Sequence, residues 1–356
     1  MPDRPPAAAA PAAAAPAAAA SAAAAPAAAA AQASGPGESS AAPRGERRVW
    51  WATAGRLLSS RPVRWGFVAV AVALCGYAVI RQWSEVRAAL ASIGFLAVAG
   101  ALVSVLLALL ATMQVWRRLL TGLGSPLPAR AAARVMFIGQ LGKYLPGSVW
   151  PVLAQMELGT AHQVPRHRSA SAAVLTMLLT LLAGLLVALV TLPFLPGGAS
   201  YRWVFLAAPV LLVCLYPKLL NRVMDRLLRV TRRPALEQPL AGRAIAGALA
   251  WAVGSWICYG LQIWLMAIRL GAPYGTGALL ATGGFAFAWC VGFLVVFAPA
   301  GAGVRDVLLV AVLAPTIGVA NATAVALVSR VLLTVGDLIT AAVAAGLGRR
   351  STLPAS

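Results

Sequence analysis

Acidic residues are scarce in this chain: nine Asp and Glu among 356 residues, against 29 Lys and Arg. Histidine occurs only at His162 and His167, and lysine only at Lys143 and Lys218. Each shortage removes a class of chemistry. There is no HExxH and no convincing carboxylate pair within the apolar runs, so neither a zinc hydrolase nor an acid–base enzyme is indicated. Both histidines fall in one basic loop and read as solvated side chains rather than metal ligands. The four cysteines, Cys75, Cys214, Cys258 and Cys290, stand singly in apolar runs. With no CxxC and no disulfide framework, they read as small packing residues. There is no GxxxxGK[ST], so no nucleotide-driven step is indicated. No catalytic residue, metal or cofactor is expected.

What is abundant is apolar. Hydrophobic residues make up 61% of the chain, charged ones 11%, and the mean hydropathy is +0.83. A soluble domain carries about 25% charged residues. Several apolar runs exceed the ~18 residues that a membrane-spanning helix needs. The fold class is therefore an all-α polytopic membrane protein; a β-barrel would show short alternating segments. The net charge of +20 sits in the connections between apolar runs, with few aromatics among it. That is the positive-inside pattern and not a nucleic-acid surface. The bias to arginine and alanine is that of a high-GC bacterial gene.

The chain divides into four parts. Residues 1–43 are an Ala/Pro-rich low-complexity tail, where recurrent proline breaks the helix that alanine favours. Residues 44–64 form a basic juxtamembrane segment with Arg44, Arg47, Arg48, Arg56, Arg61 and Arg64. Residues 65–348 form the membrane domain, and 349–356 a short C-terminal tail. Six full spans are expected, near 65–80, 93–113, 170–192, 203–217, 244–268 and 321–346. Arginine in the connections puts both termini in the cytoplasm and the loops 193–202 and 269–276 outside. The connection 218–243 is the most basic. In it Arg222, Arg226 and Arg229 share one face of an amphipathic helix, suited to an anionic inner leaflet.

Two segments interrupt the spans. In "QLGKYLPGSVWPV" (140–152) a lysine, two prolines, two glycines and a tryptophan break an apolar run. Arms at about 131–141 and 148–160 are each too short to cross, and both ends lie in basic surroundings. A re-entrant hairpin is the economical solution, because irregular backbone at membrane depth needs cover from protein or a watery cavity. The second break, "FAPAGAGVRD", lies in the segment 277–314, which enters and leaves from outside unless 277–297 crosses as one straight helix. "LPGSVWPVLAQMELGTAHQV" (145–164) and "APAGAGVRDVLLVAVLAPTIGV" (298–319) share an opening proline among small residues, a short apolar helix, a loop and then a long span. One break faces in and the other out, as in the inverted repeats of secondary transporters.

A helix starting after Pro146 or Pro299 leaves its first N–H groups without partners and offers them, with the helix dipole, to an anion. Gly147 and Ser148, like Gly301 and Gly303, let a ligand approach the backbone. Lys143 stands just before one helix start and Arg305 just after the other. Glu157 is placed to pair with Lys143, and Asp306 with Arg305. Arg330 and Asp337 share a face near the middle of the last span, where ions pair or line a pathway.

"LGKYLPGSVWP" and "PAGAGVRD" resemble the two signature segments of the lysylphosphatidylglycerol synthase transmembrane family, also called flippase-like membrane proteins. The resemblance covers about 65–346. It implies roles for Lys143, Pro146, Gly147, Trp150, Pro299, Gly301, Gly303, Arg305 and Asp306 in a substrate site; Asp306 stands where the family more often carries Glu. Relatives fused to a soluble aminoacyl-transfer domain make and flip aminoacylated phosphatidylglycerol. No segment here resembles that domain, so lipid translocation is implied and synthesis is not. The expected function is a lipid translocator in the cell membrane, with anionic phospholipids as partners. A membrane partner of an envelope-synthesis enzyme is the alternative, and an intramembrane enzyme a weaker one.

Overall fold

The computed structural model describes residues 83–144, 149–191, 240–294 and 303–347, together with Lys218, Leu219, Asn221, Arg222 and Arg226. The described residues are helical, with no strand among them. The tail, the juxtamembrane segment, the spans expected near 65–80 and 203–217, and most of the amphipathic segment lie outside them. Asn221 brackets the main chain of Leu240, accepting its N–H at 3.0 Å and donating to its carbonyl at 3.2 Å.

Among the described residues, five helices are long and apolar enough to cross a membrane. They are α2 (Phe95–Gly122), α5 (Arg166–Thr191), α6 (Gly242–Ala267, extended by a 3-10 turn to Leu270), α7 (Tyr274–Leu294) and α9 (Val319–Leu347). Shorter pieces are α1 (Trp83–Ile93), α3 (Ala129–Ala133), α4 (Trp150–Thr160) and α8 (Val304–Ile317). A π-helical turn (Arg134–Ile138) and a 3-10 turn (Leu141–Tyr144) follow α3. Helix α2 runs well past the expected end near 113, so Arg117 and Arg118 belong to its last turns. Arg117 is held there by the Leu127 carbonyl at 2.9 Å and Gln114 at 3.3 Å.

The core lies between α2, α5, α6 and α7. Helix α6 packs on α2, α7 and α5, and α9 closes the bundle against α2 and α6. Trp116, Trp256 and Phe285 are its largest fully buried side chains. The Trp256 indole donates to the Thr180 carbonyl at 3.0 Å, tying α6 to α5. Outward faces stay apolar, with Phe95, Leu96, Ile257, Val307 and Val343 exposed, as lipid-facing surfaces require.

Both breaks are antiparallel helical pairs. In the first, Gly139 backs onto Gln155 and Gly142 onto Pro151. In the second, Gly284 of α7 meets Val312 of α8, and Gly292 meets Arg305. In each case position rises on one arm as it falls on the other. Helix α7 is continuous over 21 residues and long enough to cross.

Two glycines do comparable work elsewhere. Gly94 (φ 87°, ψ 149°) separates α1 from α2, and Gly318 (φ 82°, ψ 156°) separates α8 from α9. Side chains rarely tolerate that backbone region. A single residue thus reverses the chain at Gly318. Asp306 and Arg330, equally far before and after it, are brought into contact at 3.4 Å.

Candidate functional site

The first tip is built by irregular helix. The π turn at Arg134–Ile138 shifts the register of the arm, a feature frequent at functional sites. The tight turn at Leu141–Tyr144 then presents Lys143 and Tyr144 to α9. The Lys143 ammonium lies 2.6 Å from Asp337 Oδ2, and the Tyr144 hydroxyl donates to the same oxygen at 2.5 Å. Asp337 is 4% exposed and Lys143 35%. The ammonium also sits 5.5 Å from the Tyr144 ring centre.

The second tip starts at Gly303, whose φ of 96° turns the chain into α8. Its carbonyl accepts the Val307 N–H at 2.9 Å, closing the first helical turn. Gly292 allows the Arg305 main chain to lie close against α7. The Arg305 guanidinium grips Asp306 Oδ1 with Nε at 3.2 Å and Nη2 at 3.0 Å. Arg330 Nη1 reaches the other oxygen, Oδ2, at 3.4 Å. Asp306 thus bridges two cations.

The two clusters share α9. Arg330 and Asp337 straddle its middle, separated along the axis by about 10 Å at 1.5 Å per residue. One tip approaches on each side of that middle. Tyr259 of α6 lies within electrostatic reach of both Asp337 and Arg305. One turn further along α6, the buried Gln262 donates to Ser329 Oγ at 3.1 Å, beside Arg330.

Two expected pairings are corrected. Glu157 does not reach Lys143: it takes Arg166 at 3.0 Å, across the turn from α4 to α5. The antiparallel pairing explains this, because Glu157 lies near the far end of the arm from the tip. Arg330 and Asp337 do not neutralise each other either; each serves a different tip. The Arg305–Asp306 contact is as expected. Trp150 opens α4. Pro146, Gly147, Ser148, Pro299 and Gly301 lie outside the described residues. Sequence reasoning missed Tyr144 and Tyr259. Tyr144 had a signal, a hydroxyl next to the lysine of the break; Tyr259, inside an apolar span, had none.

His162 lies away from these clusters, in the turn after α4. It lines a cavity of about 150 Å³ with Arg134, Val135, Ile138, Leu158 and Ala161. Burial pushes the imidazole below its ordinary 6.5, and the Arg134 charge adds to the effect.

Long apolar helices around two broken, charge-bearing arms define a multi-pass helical membrane protein with polar groups gathered at mid-bundle. The chain belongs to the family described as the lysylphosphatidylglycerol synthase TM region, which it matches over residues 63–340. No curated protein matches it significantly.

Proposed function

We propose that the protein moves an anionic lipid headgroup between the two leaflets of the cell membrane and does not itself transform it. Family membership supports a role in lipid modification or transport. One observation carries the finer reading: in both clusters a cation is more exposed than the carboxylate it faces. Lys143 is 35% exposed against 4% for Asp337, and Arg330 40% against 21% for Asp306. An ammonium has three donors and a guanidinium five, so each retains N–H groups for a phosphate oxygen.

In this reading the carboxylates hold the cations in place while no lipid is bound. A headgroup phosphate entering from one side competes with Asp337 for Lys143; from the other side it competes with Asp306 for Arg330 and Arg305. Passage between the two follows α9 across its middle. The acyl chains remain in the bilayer, along the apolar outer faces. The drive comes from the lipid gradient, ions or membrane potential. Both termini lie in the cytoplasm, so the Lys143 tip is reached from inside.

The test is a leaflet-resolved assay with purified protein in liposomes of phosphatidylglycerol. A charge-assisted contact to phosphate contributes about 1.5–3 kcal/mol. Lys143→Gln and Arg305→Gln should each slow transport about ten- to a hundredfold. Arg226→Gln, in the basic connection, should stay near the parent. Variants that insert normally and transport like the parent overturn the site. A parent protein that inserts but moves no lipid overturns the function and favours a membrane partner of an envelope-synthesis enzyme.

A further inference from the structure

We infer that the site selects a headgroup with one net negative charge, and that Asp306 sets that number. This rests on the lipid-binding reading above and deepens it. The membrane-depth site holds three cations, Lys143, Arg305 and Arg330, and two carboxylates, Asp306 and Asp337. Their formal charges leave one positive unit. Arg87 lies on the short helix α1, and from Arg117 onward the other charged side chains among the described residues lie toward helix ends and in the connections.

The surplus has a definite place. Lys143 and Asp337 form a neutral pair, and a tyrosine hydroxyl completes the carboxylate's contacts. At the other tip one carboxylate serves two guanidiniums. Arg305 holds Asp306 with two nitrogens at 3.0 and 3.2 Å and is 14% exposed. Arg330 reaches it with one nitrogen at 3.4 Å and is 40% exposed. The uncompensated charge therefore belongs chiefly to Arg330, the most open of the three cations.

An uncompensated ion at membrane depth is costly. A phosphodiester headgroup with one charge cancels it. A dianionic phosphomonoester overshoots and leaves the site negative. A zwitterion brings a second cation toward Arg330, and an aminoacylated headgroup with net positive charge adds repulsion. Specificity by charge number then follows from what each headgroup leaves unpaired.

The experiment measures lipid binding to the full-length purified protein by native mass spectrometry. The probes are phosphatidylglycerol, phosphatidylethanolamine, dianionic phosphatidic acid and lysylphosphatidylglycerol. The parent should bind phosphatidylglycerol roughly tenfold better than the other three, the effect of one charge-assisted contact. Arg330→Gln removes the surplus and should level phosphatidylglycerol with phosphatidylethanolamine. Asp306→Asn doubles the surplus and should put phosphatidic acid first, while Asp306→Glu, which keeps the charge, should keep the parent order. A parent that prefers the zwitterion, the dianion or the cation overturns the inference even if Asp306→Asn fails to fold. So do variants that change all four lipids in proportion. Binding in the expected order without leaflet transport in liposomes overturns the translocator and leaves the charge rule standing. Transport without charge preference does the reverse.

Discussion

Lys143 and Asp337 lie 2.6 Å apart although they come from opposite halves of the chain. The contact joins the tip of the first break to the last membrane helix, and it is unequal. Asp337 is almost wholly enclosed, while Lys143 can still reach water. Removing the lysine strands a buried carboxylate; removing the aspartate frees a cation that can turn outward.

That asymmetry gives the first prediction. Lys143→Gln should lower stability by about 1–3 kcal/mol, the scale of leaving a buried charged group short of its partner. Asp337→Asn should cost less, and the double variant should recover most of the loss. Thermal unfolding of the four proteins in detergent measures the cycle. Simple additivity of the two losses would show that the pair is not coupled.

Gly318 supplies the second. At φ 82° and ψ 156° a Cβ is strained whatever space surrounds it. Gly318→Ala should cost about 1–3 kcal/mol, and it should also loosen the Asp306–Arg330 contact that the reversal creates. Gly254, inside α6 with open space around its missing Cβ, is the control. There alanine should stabilise by about 0.5–1 kcal/mol. Equal effects at both positions would contradict the hinge geometry.

Much of this was legible in the sequence. Apolar run length marked the spans of α2, α5, α6 and α9, and the Pro/Gly clusters marked the interruptions before α4 and α8, because backbone irregularity at membrane depth needs special residues. The Arg305–Asp306 contact followed from adjacency. The partners of Lys143, Glu157 and Arg330 did not. Which ions meet depends on the register between arms and on how α9 is turned, and neither leaves a local trace. Gly94 and Gly318 leave no such signal, because a single glycine between apolar residues in "SIGF" or "TIGV" does not reveal that its backbone takes a positive φ. Arg117 and Arg118 read as loop charges, whereas α2 runs through them and Arg117 is satisfied from the turn that follows the helix.

His162 gives a pH prediction. Its folded value lies below the ordinary 6.5, chiefly from burial and further from Arg134. The unfolded chain therefore takes up its proton near pH 6.5 and the folded chain only at lower pH. As pH falls through that interval, protons favour the unfolded form, so this group withdraws stability; above it, the group has no effect. Glu157, nearby on α4, is engaged by Arg166. An NMR titration of His162 should show a midpoint below 6.5 that rises in Arg134→Gln without reaching 6.5, since burial remains. His162→Gln should flatten the stability profile between about pH 5 and 7. A midpoint at or above 6.5 in the parent would contradict this reading.

Membrane orientation is the last prediction, and the function depends on it. Arginine crowds the turns around α2–α3 and α4–α5, at Arg117, Arg118, Arg130, Arg134, Arg166 and Arg168, while the turn between α6 and α7 carries only Arg269. A basic excess in short connections marks the cytoplasmic side. Thr276 is exposed beside the α6–α7 turn, and Ala161 is exposed just after α4. In intact cells an impermeant thiol reagent should label Thr276→Cys and not Ala161→Cys, in a background lacking the native cysteines. Opening the membrane should make Ala161→Cys reactive, which separates a cytoplasmic position from a buried one. Labelling of Ala161→Cys alone in intact cells would invert the molecule. The Lys143 tip would then face outward and the Arg305–Asp306–Arg330 cluster inward, and a headgroup would meet the two clusters in the opposite order.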